Sequence, residues 1–578
     1  MKAAKPFRLV AAALAALSLA LAPAAGMTQP QRRQLLEYPS IHHPVVGEKG
    51  MVVSQSALAS EIGAQILRKG GNAVDAHVAV AFALAVTLPR AGNIGGDGFT
   101  MIWVAAEQKM VVIDYRSVAP RGAKLTDFVN RDGEETPVAS KGYKAAAVPG
   151  TVAGLHLAHA RYGKLPWKTV IAPAIKLAEE GVVLTPDEAF VFSWGKERLS
   201  ESADAKKTFY KPDGSLYRAG ETLKQPDLAW SLRQIADKGP DAFYRGEIAK
   251  RFVADMKANG GLITAEDLAA YRPQVREALV GTYRGHTVYT TPPASAGGAT
   301  LLQMLNILER YDLKAMGWGA QSLHLQAEAM KLAYADRYEF LGDTDFVKAP
   351  LKGFTSKAYA DEQAAKIDPK KAKPAKDLRG GNPWKYESPS TTHYSVADAD
   401  GNAVSTTYTL GADFGSGVMP AGTGFLLNNQ MNNYSHEQAV EAGEKGEAMP
   451  LNAMAPGKRM LSTMMPTMVF KDGKPWLITG TPGGSTIIDT VLQVIVNVVD
   501  FDMNVAAATH QPRIFQAATD TLEIEPGFNQ DTVAGLKAMG HPVKTSQTMG
   551  SAQSIMIDQG LFLGAADPRR PGALAVAP

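Results

Sequence analysis

Apolar residues recur along much of the chain at the spacing of amphipathic helices. Residues 60–70 show this pattern up to a glycine pair, a common C-terminal signal, and Asn72 then caps a helix that is apolar on nearly all faces. Helical periodicity returns over 241–270 and 322–338. We therefore expect helices that pack on a core, and one helix after Asn72 that is buried on every side.

Period-two alternation predicts strands in other parts of the chain. A glycine-rich turn, GNIGGDGF, leads into two strands, and alternation also covers Thr282–Thr291, Thr391–Thr409 and a strand pair within 465–478. The apolar run Val491–Val499 is compatible with a buried helix or a buried strand. Helices and mostly antiparallel strands are mixed throughout, so the expected fold class is α+β, with sheets covered by helices.

Composition narrows the classes of function. The 578 residues are 45% hydrophobic and 20% charged with a net charge of +3, which gives no reason to expect nucleic acid or a membrane surface as a partner. The chain has no cysteine, which excludes disulfides, thiolate metal sites and a cysteine nucleophile. Histidines and carboxylates do not follow a metal-site spacing, so no metal is expected.

The N-terminus has the three parts of a secretory signal peptide. Basic residues between Lys2 and Arg8 precede an apolar run, Leu9–Leu21, and residues 22–24 form an A-x-A cleavage site. A membrane anchor is the alternative, but the run is shorter than the roughly 20 residues that a spanning helix needs. We expect residues 1–24 to be removed and the product to be exported without a membrane span, periplasmic or secreted.

A composition change occurs at the stretch SPSTTHYS, where a segment rich in Lys, Pro and Gly, 368–390, meets a strand. The segment DADGN downstream predicts a hairpin whose three-residue loop, 399–401, places Gly where a left-handed conformation is required. Counting from this loop puts Thr391 opposite Thr409, on one face of the hairpin. A two-residue loop would instead place Thr391 opposite Leu410, so the three-residue register is preferred but not established.

Thr391 is a candidate nucleophile because of its place at the start of this strand. If the chain is cut just before it, the new α-amino group has a pKa of roughly 7.7–8.0 and can accept the hydroxyl proton. Without a cut, the nearest candidate base in the sequence is His393, on the same face. The alternative is that threonine stands here only because it favours strands.

Several blocks occur in a fixed order over nearly the whole mature chain: GGNAVDAHVA, DYRSVAP, AAVPGTVAGL, NGGLITAEDLAAYRP, the TTHYSVAD–GNAV hairpin, GFLLNNQMNNYS, GKRMLSTMMPT and GTPGGST. With these blocks the chain closely resembles the γ-glutamyltranspeptidase (glutathione hydrolase) family, which also contains acylases that cleave glutaryl cephalosporins. The resemblance implies a four-layer α/β/β/α sandwich of the N-terminal nucleophile hydrolase type. It also implies a precursor that cuts itself between Ser390 and Thr391. Residues 25–390 and 391–578 would then stay together as the large and small fragments of a heterodimer in one folded unit.

The resemblance also implies roles for individual residues. Thr391 would be the catalytic nucleophile, Thr409 would hold its hydroxyl, and the backbone N–H groups of Gly483 and Gly484 would stabilise the tetrahedral oxyanion. Other residues would bind the α-amino acid end of the substrate: Arg116, Ser462 and Thr463 its carboxylate, and Gln430 and Asn433 its amino group. The implied reaction is two-step acyl transfer without metal or organic cofactor. Glutathione and related γ-glutamyl amides would be the substrates, and water, amino acids or peptides the acceptors.

The chain departs from the family pattern beside the amino-group contact. Asn433 stands where typical members have an Asp that pairs with the substrate ammonium, and Gly411 stands where they have Asn. We therefore expect a weaker preference for γ-glutamyl groups; Asp413 is a candidate replacement carboxylate. The segment 436–458 has no aromatic residue, and Glu444 stands where some relatives have a Tyr that closes over the substrate.

These differences leave three functional hypotheses. The first is a γ-glutamyltransferase and glutathione hydrolase. The second is a glutaryl cephalosporin acylase, motivated by Asn433 and Gly411, because a glutaryl group has no ammonium to lose. The third is an exported binding protein that keeps the fold without catalysis.

Overall fold

A computed structural model of the chain describes residues 40–377 and 390–578, apart from the side chain of Ser390. The predicted signal peptide, 1–24, and part of the predicted linker, 378–389, lie outside the described residues. His42–Pro578 form one compact unit. Among the described helices, none has the length and hydrophobicity that a membrane span requires.

Short and medium strands occur throughout this unit. In chain order they are Val45–Gly47 (β1), Gly50–Ser54 (β2), Asp97–Val104 (β3), Lys109–Asp114 (β4), Val182–Val183 (β5), Thr222–Leu223 (β6), Gln274–Arg276 (β7), Leu279–Tyr283 (β8), His286–Thr290 (β9), Ser390–Asp398 (β10), Ala403–Gly411 (β11), Thr467–Lys471 (β12), Lys474–Thr479 (β13), Ile514–Gln516 (β14), Leu522–Ile524 (β15), Val543–Thr545 (β16), Gln553–Asp558 (β17), Leu561–Ala566 (β18) and Leu574–Val576 (β19).

Helices alternate with these strands along the chain. They are Ala57–Arg68 (α1), Ala73–Thr87 (α2), Thr151–Tyr162 (α3), Trp167–Glu180 (α4), Pro186–Trp194 (α5), Ala203–Phe209 (α6), Pro226–Lys238 (α7), Asp241–Tyr244 (α8), Glu247–Ala258 (α9), Ala265–Ala270 (α10), Gly297–Leu308 (α11), Leu313–Met316 (α12), Ala320–Phe340 (α13), Leu351–Phe354 (α14), Lys357–Ala364 (α15), His436–Lys445 (α16), Thr486–Val499 (α17), Val505–His510 (α18) and Gln530–Ala538 (α19).

The two largest sheets of the described chain are antiparallel and seven-stranded. The first has the order β19-β2-β10-β11-β3-β4-β7, and the second has the order β1-β18-β17-β13-β12-β9-β8. In both sheets, strands that precede residue 391 in the chain lie beside strands that follow it: β10 pairs with β2, and β12 pairs with β9. The two parts of the chain are therefore interleaved.

Alternate residues of the first sheet point into two different cores. In β2, Val52 packs with the residues of α2, whereas Met51 and Val53 belong to the core that contains the second sheet. This alternation is what a strand buried on both faces requires. Helices α11, α13 and α17 contribute to the core of the second sheet. The layers are therefore helix, sheet, sheet and helix, as predicted.

The helix predicted after Asn72 is confirmed. The Asn72 side chain accepts hydrogen bonds from the backbone N–H groups of Val74 and Asp75, and the Asp75 side chain accepts from the Asn72 backbone. This capping box satisfies N–H groups that the first helical turn leaves without partners. All residues of α2 from Ala73 to Val86 are buried, which positions the helix under the first sheet.

Two predictions of secondary structure are corrected or resolved. Thr282–Thr291 is not one strand but belongs to the hairpin β8–β9, because Arg284 and Gly285 turn the chain with positive φ angles of 49° and 82°. Val491–Val499, which the sequence left open between helix and strand, lies in helix α17. The helical region 241–270 is confirmed but consists of the three helices α8, α9 and α10.

Candidate active site

The hairpin β10–β11 has the register that its three-residue loop predicts. Ala397 pairs with Ala403 and Thr392 with Tyr408, and the loop glycine, Gly401, has a φ angle of +84°. The pairing shifts by one residue at the first position, where Ser390 pairs with Gly411. This irregularity lies at Thr391, at the start of a strand in the interior of the first sheet.

The hydroxyl groups of Thr391 and Thr409 meet on one face of this hairpin. Thr391 Oγ1 donates a hydrogen bond to Thr409 Oγ1 over 3.2 Å, and the Gly411 backbone N–H donates to the same oxygen over 2.9 Å. Both threonines are buried. The Thr391 proton is therefore directed to Thr409, which leaves the Thr391 lone pairs on the remaining sides of the oxygen.

A buried carboxylate lies on the next strand of the sheet. Asp97 is the first residue of β3 and pairs across the sheet with Thr409 of β11. Its carboxylate oxygens lie 2.7 and 2.9 Å from Arg116 Nη1, and Arg116 follows the end of β4 by two residues. The sequence predicted Arg116 but not Asp97, which stands in the glycine-rich segment interpreted as a turn.

Gln430 and Asn433 are joined by a hydrogen bond through their side-chain amides. Asn433 Nδ2 donates to Gln430 Oε1 over 2.7 Å, and Gln430 Nε2 donates to Asp97 Oδ1 over 3.3 Å. Asn452 Nδ2 donates to the Asn433 carbonyl over 2.7 Å and fixes its backbone. Because Nδ2 of Asn433 faces Gln430, Oδ1 is the acceptor that this amide can offer to another group.

Ser462 and Thr463 lie on a backbone segment that is bound to the start of α11. The Ser462 N–H donates to the Ala294 carbonyl over 3.0 Å, and the Ala296 N–H donates to the Ser462 carbonyl over 2.8 Å. The Met464 N–H donates to Ser462 Oγ over 3.0 Å, so the hydroxyl proton of Ser462 can be donated elsewhere.

Gly483 and Gly484 form a loop directly before helix α17. Their φ angles are +138° and +58°, which other residues rarely adopt. Within residues 40–377 and 390–578, neither of these two backbone N–H groups donates a hydrogen bond. The N-terminus of this 14-residue helix adds positive potential at the same place.

One open cavity collects almost all of the predicted site residues. Its described lining comprises Arg116, Arg337, Tyr338, Thr391, Thr409, Gly411, Gln430, Asn433, Tyr434, Ser435, Asn452, Leu461, Ser462, Thr463, Met464 and Gly484. Of the predicted residues, Gly483 is absent from this lining but precedes Gly484. Arg337, Tyr338 and Asn452 were missed by the sequence analysis, because one helix and one loop far along the chain bring them here.

His393 does not serve as a base for Thr391 in this arrangement. Its ring nitrogens lie 2.8 Å from Thr407 Oγ1 and 3.2 Å from Ser395 Oγ, on the same sheet face but away from the Thr391 hydroxyl. Burial lowers the pKa of His393 to about 3, so the ring is neutral at physiological pH.

The departures from the family pattern have different structural settings. Gly411 has a φ angle of +96°, and a Cβ atom there would approach Asn429 Oδ1 to 2.1 Å, so the local backbone requires glycine. Asp413 does not restore a carboxylate to the cavity: it is paired with Arg90 and lines a separate pocket. Glu444 is exposed on α16 and does not belong to the cavity lining.

A buried histidine–carboxylate group lies outside the cavity. His324, Glu328 and His541 have potential ligand atoms within 4.8 Å of one another. However, His324 Nδ1 and His541 Nε2 are hydrogen-bonded at 2.7 Å, and the Lys331 ammonium lies 2.7 Å from Glu328 Oε1. The lysine charge already neutralises the carboxylate, which opposes binding of a second cation.

Comparisons with known proteins show the family of the chain. The family model described as gamma-glutamyltranspeptidase matches residues 59–577. The chain belongs to the γ-glutamyltranspeptidase family. It is 48% identical over 536 residues to a glutathione hydrolase proenzyme of Escherichia coli (strain K12), with 92% of each chain covered.

Acylases of the family are also similar to the chain. It is 39% identical to the Acylase ACY 1 proenzyme of Pseudomonas sp. (strain SE83), over 92% of this chain and 94% of that protein. The crystal structure of a cephalosporin acylase from Bacillus halodurans superposes with a TM-score of 0.83 at 30% identity, covering 96% of this chain and 99% of that one. The sandwich fold predicted for the family is therefore confirmed.

Proposed function

We propose that the protein is a self-processing γ-glutamyltransferase and glutathione hydrolase. The observation that carries this proposal is the hydrogen bond from Thr391 Oγ1 to Thr409 Oγ1 at the start of an interior strand, facing a cavity. Across two strands of the same sheet face, Arg116 offers a guanidinium to a carboxylate. Thr391 on β10 and Asp97 on β3, which binds Arg116, are two strand spacings apart, roughly 10 Å, and this length suits a five-carbon acyl group.

Processing begins when Thr391 Oγ1 attacks the carbonyl carbon of Ser390. The peptide bond breaks, the acyl group moves to the oxygen as an ester, and the Thr391 nitrogen becomes a free amine. Water then hydrolyses the ester and leaves a carboxylate on Ser390. The products are the fragments 25–390 and 391–578, which remain associated as a heterodimer because their strands are interleaved in both large sheets.

Catalysis uses the same oxygen. Thr391 Oγ1 attacks the γ-amide carbonyl and its proton passes to the free α-amine, while the Gly483 and Gly484 N–H groups stabilise the oxyanion. The carbon–nitrogen bond breaks and the leaving amine takes up the proton, so a γ-glutamyl ester remains on Thr391. Water, or an amino acid or peptide amine, attacks this ester and restores the hydroxyl. These steps use protein groups throughout, so no cofactor is proposed.

The α-amino acid end of the substrate is assigned to the opposite end of the cavity. Arg116, Ser462 and Thr463 bind its carboxylate, where the guanidinium and two hydroxyls supply donors. The amino group is assigned to Gln430 and Asn433, which offer neutral amide oxygens. Glutathione is the proposed substrate, because a relative that matches 92% of this chain is named a glutathione hydrolase proenzyme.

A glutaryl cephalosporin acylase is the second candidate. Its support is the neutral amide of Asn433, which forms no ion pair with a substrate ammonium, together with the similarity to acylase proenzymes and to a cephalosporin acylase structure. A glutaryl group carries the carboxylate that Arg116 binds but has no ammonium. Export to the periplasm, or secretion, is proposed from the signal sequence of residues 1–24.

Intact mass spectrometry tests self-processing. We expect the wild type to give two fragments, the smaller beginning at Thr391, and the variant Thr391→Ala to stay uncut and without hydrolase activity. Thr392→Val is the matched control: Thr392 is the buried neighbour, and its hydroxyl has no hydrogen-bond partner among the described residues. An uncut wild type would contradict the proposal and favour an exported binding protein.

Substrate preference is tested on the mature enzyme. We expect a higher kcat/KM for a γ-glutamyl anilide than for a glutaryl cephalosporin, because the former can use the oxygens of Gln430 and Asn433 in addition to Arg116. A preference for the glutaryl compound would overturn the first candidate and establish the second.

A further inference from the structure

Asp97 contacts two of the proposed substrate-binding residues without lining the cavity itself. It is completely buried at the start of β3, where the glycine-rich turn enters the first sheet. Strand pairing places it beside Thr409, and therefore in one row with the proposed nucleophile. The reaction proposed above gives this carboxylate no role.

The Asp97 carboxylate is bound by donors from three groups. Oδ1 accepts from Arg116 Nη1 over 2.7 Å and from Gln430 Nε2 over 3.3 Å. Oδ2 accepts from Arg116 Nη1 over 2.9 Å and from the Ser117 backbone N–H over 3.0 Å. Arg116 and Gln430 stand on distant segments of the chain, so this one side chain joins the two.

The carboxylate leaves Arg116 with a single available edge. Arg116 Nε donates to the Met460 carbonyl and Nη2 to the Leu461 carbonyl, each over 3.3 Å. With Nη1 bound to Asp97, only one or two of the five guanidinium N–H groups can still bind a ligand. A substrate carboxylate must therefore approach Arg116 from one direction, which the protein has fixed before binding.

The same carboxylate determines which end of the Gln430 amide faces the site. An ionised carboxylate can only accept hydrogen bonds, so it requires the NH₂ end of Gln430 to point toward Asp97. The oxygen Oε1 then points the other way, where it accepts from Asn433 Nδ2 over 2.7 Å. A carbonyl oxygen has a second lone pair, and this one remains for a substrate ammonium.

We infer that Asp97 is a positioning residue that orients Arg116 and Gln430 together for the α-carboxylate and the α-ammonium of one substrate. The inference rests on the proposed γ-glutamyl function and explains how a site with a neutral Asn433 can recognise a chiral α-amino acid end. Two directions, one for each charged group, distinguish the L from the D form. Without the Asp97 carboxylate, neither Arg116 nor Gln430 would be held in its orientation.

The test uses Asp97→Asn, which keeps the shape and removes the charge. The mature variant is assayed with L- and D-γ-glutamyl-4-nitroanilide, with rates normalised to the fragment that begins at Thr391. We expect KM for the L form to rise about tenfold or more, kcat to change about threefold or less, and the ratio of kcat/KM between L and D forms to fall. A purely structural role would lower the amount of mature enzyme without changing KM or this ratio.

Asp567→Asn is the matched control, because Asp567 is also completely buried and pairs with Arg513 at 2.6 Å outside the cavity. It should keep the KM and the L to D ratio of the wild type. If Asp97→Asn does not mature, the double variant Asp97→Asn/Arg116→Met removes both charges and leaves none unpaired. Its KM for glutaryl-4-nitroanilide should equal that of Arg116→Met alone, and a further rise would overturn the inference.

The outcomes separate this inference from the proposed function. A wild type that releases no nitroaniline from the L form would overturn the γ-glutamyl function itself. A wild type that is active, with an Asp97→Asn variant of unchanged KM and unchanged L to D ratio, would overturn only the role of Asp97.

Discussion

The two sides of the cavity are built in different ways. On the sheet side, Thr391 and Thr409 line the cavity and Asp97 lies beside Thr409 on the next strand; the side-chain oxygens of all three form hydrogen bonds to protein groups. On the other side, a flank runs from Asn433 through helix α16 to the exposed segment that follows it. Residues 443–449 are exposed here, whereas Tyr434 and His436 are buried.

The departures from the family pattern fall on both sides: Gly411 ends β11 in the first sheet, whereas Asn433 and Glu444 lie on the flank. On the sheet side a change of one residue disturbs several hydrogen bonds and the register of neighbouring strands. On the flank, the Asn433 side chain donates a hydrogen bond to Gln430, and the Glu444 side chain is exposed. Under the proposed function, the sheet side holds the nucleophile, and the flank begins at the residue assigned to the substrate amino group, Asn433.

The largest effect is expected from a change at Gly483, in the loop before helix α17. Gly483→Ala should lower kcat with a γ-glutamyl anilide by about 100-fold, because a displaced oxyanion donor has effects of this size. The added Cβ would lie 2.4 Å from Thr486 Oγ1, at a φ angle of +138°. Gly473→Ala is the control, since it also has positive φ but nothing within 4 Å of a new Cβ. Equal kcat in the two variants would contradict the assignment.

An intermediate effect is expected where the two sides meet. Asn433→Asp should raise kcat/KM for γ-glutamyl substrates by about tenfold through KM, because a charged hydrogen bond to the ammonium replaces a neutral one. Steady-state kinetics with a glutaryl anilide provide the internal control, as that substrate has no ammonium and should not improve. An unchanged KM for the γ-glutamyl substrate would count against the role of residue 433.

The stability of the protein should depend on pH through the carboxyl groups of Glu135 and Glu437, the latter on the flank. The Glu135 N–H donates to Glu437 Oε1 over 3.1 Å, and burial, with Glu437 nearby, raises the pKa of Glu135 to about 8. A raised carboxyl pKa stabilises the fold below the unfolded value near 4.5, and this contribution is lost as the pH rises through 8. Glu135→Gln mimics the protonated form and should keep this stabilising contribution at high pH.

Thermal denaturation of the mature enzyme between pH 5 and 9 measures this effect. The apparent Tm of Glu135→Gln should exceed that of the wild type by about 1–2 °C at pH 9 and match it at pH 5. Glu134→Gln, on the exposed neighbour, serves as the control. Parallel curves for wild type and Glu135→Gln would show that the carboxylate pair does not form.

The smallest effect is expected at the exposed end of the flank. Glu444→Ala should change hydrolysis of a γ-glutamyl anilide by less than about twofold, because surface changes far from packed groups have small effects. Adding a dipeptide acceptor should leave hydrolysis dominant in both proteins, as no aromatic side chain of 436–458 closes over the cavity. A fivefold change of rate would place Glu444 in contact with the substrate.

Local signals in the sequence were enough for the nucleophile hairpin and for the capped helix. The loop glycine at 401 favours the register in which Thr391 faces Thr409, and the structure confirms this preference. The role of Asp97 could not be predicted, because its partners depend on the pairing of β3 with β11 and on two loops from distant parts of the chain. The sequence left the place of Asp413 open, because β11 ends at Gly411 and spacing beyond the strand does not fix the direction of a side chain.

Other patterns in the sequence were ambiguous. Arg284 and Gly285 reverse the chain inside a segment whose alternation continues on both sides, so one strand was predicted in place of two. The run Val491–Val499 fits either structure by composition, and only its packing in the second core decides for a helix. Arg337 and Tyr338 lie on a correctly predicted helix, but its periodicity does not indicate which residues reach the cavity.

The interleaved order of strands has a consequence for the assembly of the protein. The proposed cut before Thr391 separates Ser390 from the rest of β10 and leaves the pairs from Thr392 onward in place, but it would convert one chain into two whose denatured forms can diffuse apart. Refolding then becomes a bimolecular reaction, and the apparent stability depends on protein concentration. Each fragment alone would expose the unpaired strand edges that the other normally covers, which favours aggregation. Folding would therefore be completed by the intact precursor, before the proposed cut makes it bimolecular.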